Sequence, residues 1–197
     1  MINYLAKKIT NHYIKKNSIQ EEEREIYEYC FDVMISTLLN LIAIAIISIS
    51  MGLYIEGTIF CIVFMSLRGI GGGYHAKTHF FCFMTIMIVF AIYVILLKLL
   101  GTTILFYISI AFLSIGFIII AILAPVDTET KPLTQAEFKK NKIKTLILLF
   151  IYTIIASILL IFNQTQYYSF NVVYPIFAVS NLMIIGAIKN REWKRTE

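Results

Sequence analysis

The chain has 197 residues, of which 59% are hydrophobic and only 15% charged. A soluble globular domain carries roughly a quarter charged residues, so this composition excludes one. The net charge of +5 would suit nucleic acid, but the basic residues sit between long apolar runs. That pattern points to membrane topology, with lipid as partner and no nucleic acid.

Residues 1–17 are expected to form an interfacial amphipathic helix. Ile2, Leu5, Ile9 and Tyr13 recur at three- and four-residue steps, with lysines on other faces. A simple solvated helix is the rival reading. Lys7, Lys8, Lys15, Lys16 and the glutamates at 21, 22, 23 and 25 precede the first apolar run. No short apolar segment with a small-residue cleavage site comes early, so no signal peptide is expected. Ser18-Ile19-Gln20-Glu21 has the pattern of a capping box that starts a helix near Ser18.

Six apolar runs then follow, at 31–51, 53–67, 80–97, 104–124, 145–162 and 170–188. A bilayer is crossed by about 20 mostly apolar residues. The expected fold class is therefore all-α, a polytopic membrane protein of about six transmembrane helices. It would be a single domain over 1–197, with membrane helices at 18–188 and a tail at 189–197. With the N-terminus inside, 16 of the 17 Lys and Arg residues fall in inner segments, and only Lys98 falls outside. By the positive-inside bias both termini and the 68–79 loop are expected in the cytoplasm of a multi-pass cell-membrane protein. Glu56, near the start of the short second run, would sit at the outer interface.

The segment with chemical potential joins the second and third runs: Arg68-Gly-Ile-Gly-Gly-Gly-Tyr-His-Ala-Lys-Thr-His-Phe-Phe-Cys82. Gly71, Gly72 and Gly73 remove side chains and free the backbone, so another chain can approach closely. His75 can act as a base near neutral pH. Cys82 can be a nucleophile where its thiolate is favoured. Seven residues separate them, about 10 Å of helix, so pairing needs the glycine segment to fold back. His79, three residues from Cys82, is the geometric rival. A histidine at an interface is often a polar anchor, and a glycine run is often only a turn. Cys30 and Cys61 are expected to be packing residues, and the three cysteines show no disulfide pattern.

Other site chemistries fail on their patterns. Gly71-x4-Ala76-Lys77-Thr78 lacks the second glycine and the preceding strand of a phosphate loop. Neither H-E-x-x-H nor G-x-S-x-G occurs. His75, His79 and Cys82 lack a fourth ligand, so no metal and no cofactor are expected. A small transporter or channel is the alternative class, but charges cluster in loops and only Asp32 and Glu56 lie near spans. A thiol oxidoreductase would need a Cys-x-x-Cys pair, which is missing.

The Arg68…Gly-Gly-Tyr-His75…Cys82 pattern, followed by Ala-Pro-Val-Asp-x-x-x-Lys-Pro at 124–132, resembles the accessory gene regulator protein B family. The resemblance spans essentially the whole chain. It implies a membrane cysteine endopeptidase that removes the C-terminal tail of a quorum-sensing propeptide and helps close a thiolactone or lactone ring. The autoinducing propeptide would be the substrate partner, and a homodimer is a candidate assembly. The family's catalytic pair carries over to His75 and Cys82. Its important Arg and Gly correspond to Arg68 and Gly73, with Gly72 beside it as a supporting residue. Pro125, Val126, Asp127, Lys131 and Pro132 match the second motif. Asp127 is a candidate to orient His75, with Asp32 as rival. Arg68 would bind a tail carboxylate or the oxyanion, or serve only as a topology anchor.

Overall fold

A computed structural model describes residues 2–16, 18, 20–74, 79–127 and 133–196, without the side chains of 79 and 190–196. Its helices are α1 (Ile2–Lys15), α2 (Arg24–Ser50), α3 (Tyr54–Gly71), α4 (His79–Leu99), α5 (Thr102–Leu123), α6 (Gln135–Ile161) and α7 (Gln166–Thr196), with a 3-10 turn at Glu21–Glu23. Helices α2 to α7 are each long and apolar enough to cross a membrane. The chain is thus an all-α, multi-pass membrane protein with an additional N-terminal helix.

Helix α7 is the centre of the bundle. Two-thirds of its spanning window is buried, 67% against 17% for α2 and α6. It packs on α3, α5 and α6. Its aromatic residues join those of α3 and α4: Tyr93 stacks on Phe60 at 5.2 Å and on Phe170 at 6.1 Å, and lies 5.3 Å from Tyr174. Offset and tilted rings of this kind add to the burial of large apolar surface. A hydroxyl in such surroundings needs a partner. Tyr93 Oη lies 2.9 Å from Asn171 Oδ1, and Tyr174 Oη donates to the Val89 carbonyl at 2.9 Å. The isoleucines and leucines left exposed on α2 and α6, such as Ile46, Ile49, Ile154 and Ile158, form surface suited to lipid rather than water.

Several expected boundaries shift. Helix α3 runs to Gly71, so Arg68 is in its last turn and not in a loop. Helix α6 starts at Gln135, so Lys139, Lys140, Lys142 and Lys144 ride on its first turns. Helix α7 continues through Lys189 to Thr196. The capping box expected at Ser18 is not formed. Gln20 makes no side-chain cap, and the Glu21 carboxylate instead accepts a hydrogen bond from Arg24 Nε at 2.6 Å. A true capping box stands at Thr134 and Glu137, where each side chain meets the other's backbone N–H.

Helix α1 packs on α2 through a face other than its apolar stripe. Ala6 and Thr10, four apart, are buried, while Leu5 and Tyr13 stay exposed. Small residues let α1 lie close against α2. Tyr13 nevertheless stacks on Phe31 of α2 at 5.8 Å.

Candidate active site

The site grows from the C-terminal end of α3. Phe60, Phe64, Leu67, Arg68 and Gly71 recur at three- and four-residue steps and are all buried, so Arg68 is on the core face of its helix. Only 7% of it is exposed. A buried guanidinium costs several kcal/mol unless it is paired, as a rough scale, so its partners are informative. Nη2 donates to the Tyr74 carbonyl at 2.8 Å and to Cys82 Sγ at 3.7 Å. The guanidinium carbon lies 5.8 Å from the Phe64 ring centroid, within cation–π range. Nη1 is buried and has no hydrogen-bond partner among the described residues. A buried ionisable group in a helix of a membrane protein is a candidate for function, and this one points at a thiol.

Cys82 is in the first turn of α4, which starts at His79. It is half-buried and packs against the core. Its sulfur lies at the N-terminal turn of α4 and beside the Arg68 guanidinium.

The glycine segment is what brings α3 and α4 together in this way. Gly72 has φ 73° and Gly73 φ 127°, a left-handed region that a side chain rarely tolerates. Gly72 pairs with Val126 in an isolated parallel bridge, and Val126 N–H donates to the Gly71 carbonyl at 2.9 Å. A Cβ on Gly72 would stand 2.1 Å from the Val126 carbonyl oxygen. The second sequence motif therefore has a structural role. Residues 124–126 are buried and dock against the glycine segment. The Ala124–Pro125 peptide in this stretch is cis. Asp127 follows directly and is half-buried.

On the other side, α7 closes the segment. Tyr74 N–H donates to the Leu182 carbonyl at 2.8 Å, and Lys189 Nζ lies 5.0 Å from the Tyr74 ring centroid. A Cβ on Gly186 would stand 2.8 Å from Gly73 C and Tyr74 N.

Of the residues singled out in the sequence, Arg68, Gly72, Gly73 and Cys82 come together, and Asp127 adjoins them through Val126. His75, Lys131 and Pro132 lie outside the described residues, as does the side chain of His79. Asp32 lines a separate cleft between α1 and α2 with Asn3, Lys7, Glu25, Glu28 and Tyr29. Cys30 is exposed on α2, and Cys61 is half-buried on α3. Among the described residues, no three His, Cys, Asp or Glu side chains converge to hold a metal. Leu182 and Gly186 were not singled out in the sequence. The available signal was a lone glycine within the apolar run of α7, which in membrane helices often marks close packing.

Comparison with known proteins identifies the family. The profile of the accessory gene regulator B family matches residues 3–187. A Clostridium perfringens (strain SM101 / Type A) protein described as AgrB-like is 28% identical over 172 residues, 83% of this chain and 80% of that protein. A second AgrB-like protein, from Clostridium perfringens (strain 13 / Type A), is 26% identical over 173 residues with the same coverage. No solved structure matches the chain significantly. A profile match over nearly the full length, two relatives of similar size, and two motifs that dock against each other give one conclusion: the chain belongs to the accessory gene regulator B family.

Proposed function

We propose that this protein is a membrane cysteine endopeptidase. It removes the C-terminal tail of an autoinducing propeptide and promotes closure of a thiolactone or lactone ring through a thioester on Cys82. Family membership supports a role in agr quorum sensing. The single observation that carries the finer reading is the Arg68 guanidinium, buried and directed at Cys82 Sγ at 3.7 Å. A purely structural cysteine has no need of a buried cation.

In this reading His75 accepts the thiol proton of Cys82, and Arg68 steadies the resulting thiolate. The sulfur attacks the carbonyl before the tail. The C–S bond forms, the amide C–N bond breaks, and the tail leaves as an amine with the proton from His75. A thiol or hydroxyl within the peptide core then attacks the thioester, closing the ring and returning Cys82 to its thiol. Exchange of thioester for thiolactone keeps the acyl group activated, whereas amide to thioester is uphill and needs the tail to depart. Water must be kept from the acyl-enzyme, and a half-buried sulfur at the end of a helix bundle suits that need. Asp127, next to the docked Val126, is the proposed orienting acid for His75. Lys131, in the same motif, is a proposed substrate-binding or supporting residue. The reaction is placed at the cytoplasmic face, with both termini inside, on the strength of the basic-residue bias.

The test is to purify the protein after brief co-expression with a tagged propeptide. A covalent adduct that hydroxylamine releases is expected. Tail release with no hydroxylamine-sensitive adduct, even in rapid-quench samples, would contradict the thioester route.

A further inference from the structure

We infer that the C-terminal part of α7 is a positioning surface for the active site, and that Gly186 is its central residue, acting through Tyr74 on Arg68 and Cys82. This rests on the cysteine-peptidase reading. Leu182, Gly186 and Lys189 are spaced four and three apart, so they form one face of the helix. All three face the 73–74 segment: Leu182 and Gly186 its backbone, Lys189 the Tyr74 ring. The Leu182 carbonyl accepts the Tyr74 N–H at 2.8 Å, which a carbonyl with two lone pairs can do while serving its own helix. Lys189 stands over the Tyr74 ring. Between them, Gly186 leaves room for nothing larger than hydrogen, since a Cβ there would be 2.8 Å from Gly73 C and Tyr74 N.

Tyr74 is held from the opposite side as well. Its carbonyl accepts Arg68 Nη2 at 2.8 Å, and the same nitrogen faces Cys82 Sγ. One residue, Tyr74, thus connects α7 to the guanidinium, and the guanidinium connects it to the sulfur. A methyl group at 186 pushes the 73–74 backbone away from α7 and breaks the bond to Leu182. The Tyr74 carbonyl moves with it and no longer holds Arg68 against the sulfur. Displacements of about 1 Å at a reacting group can cost on the order of a hundredfold in rate.

The experiment uses the full chain in nanodiscs, on a Cys30→Ser, Cys61→Ser background so that Cys82 is the sole thiol. Tail release from a tagged propeptide gives kcat and KM, and iodoacetamide gives the alkylation rate of Cys82 without substrate. Gly186→Ala should lower kcat about 10- to 100-fold with KM changed less than about threefold. It should also slow alkylation to the level of Arg68→Gln. Lys189→Ala should lower kcat by about two- to fivefold, with Lys189→Arg restoring it, as a cation over a ring requires. Wild-type kcat in Gly186→Ala overturns the inference. If the parent protein releases no tail, the peptidase reading fails, and alkylation still decides this one: slowed alkylation in Gly186→Ala upholds it and an unchanged rate overturns it. If Gly186→Ala does not insert, the Lys189 pair decides, and Lys189→Ala equal to the parent in both readouts overturns it.

Discussion

Gly72→Ala should lower the proposed tail release while leaving the protein in the membrane, and Gly69→Ala should not. The two glycines are three residues apart but differ in what surrounds them. Gly69 is inside α3, and an added Cβ would have nothing within 4 Å. Alanine there should stabilise the helix by up to about 1 kcal/mol. Gly72 has φ 73° and would bring its Cβ within 2.1 Å of the Val126 carbonyl oxygen. With ψ at −147° this backbone conformation costs an L-residue on the order of 1–3 kcal/mol. Loss of the Val126 N–H bond to Gly71 removes about 0.5–1.5 kcal/mol. Together these amount to about 1.5–4.5 kcal/mol against the docked state, a factor of roughly 10 to 2,000 in its population. Tail release per inserted molecule, measured by gel and mass spectrometry with the tagged propeptide, should fall at least about tenfold in Gly72→Ala. Equal rates for both variants and the wild type would show that the docking of 124–126 on the glycine segment has no part in the chemistry.

Other outcomes follow from the same structure. His75→Ala should abolish cleavage and His79→Ala should retain much of it; the reverse order would make spacing along α4 a better guide than the family motif. Thr134→Ala removes half of the α6 capping box and should lower thermal stability by about 0.5–2 kcal/mol with little effect on kcat in detergent; an equal melting temperature would contradict it. Cysteines placed at 135 or 192 on a cysteine-free background should resist a membrane-impermeant reagent in intact cells, and ready labelling at either would refute the six-span topology with the 125–144 segment and the C-terminus in the cytoplasm.

The six spans were legible because lipid demands long apolar runs whatever their neighbours do. The site was legible in part, because Arg68, the glycines and Cys82 are chemically unusual for a membrane segment. Their relation was not. That Arg68 belongs to α3 and reaches both Tyr74 and Cys82 depends on where the helix ends, and Gly72 with its positive φ sets that end. The 124–127 motif reads as loop because Pro and Asp dominate it, yet its burial comes from a partner more than 50 positions away in sequence. The S-x-x-E pattern at Ser18 and the T-x-x-E pattern at Thr134 are equivalent on paper. Arg24 decides between them by binding the Glu21 carboxylate and a second partner, Asn11. Gly186 was invisible for a related reason: only the approach of residues 73 and 74 gives it meaning.

The claim at the centre of this account is that Cys82 is the nucleophile. Serine at that position keeps an oxygen in place of the sulfur, but its hydroxyl is far harder to deprotonate than a thiol, so a histidine base alone activates it poorly. Tagged propeptide co-expressed with Cys82→Ser, Cys30→Ser or Cys61→Ser, and scored for tail release at matched insertion, tests it directly. The account predicts no release from Cys82→Ser and near wild-type release from the other two. Release at the wild-type rate from Cys82→Ser would contradict it.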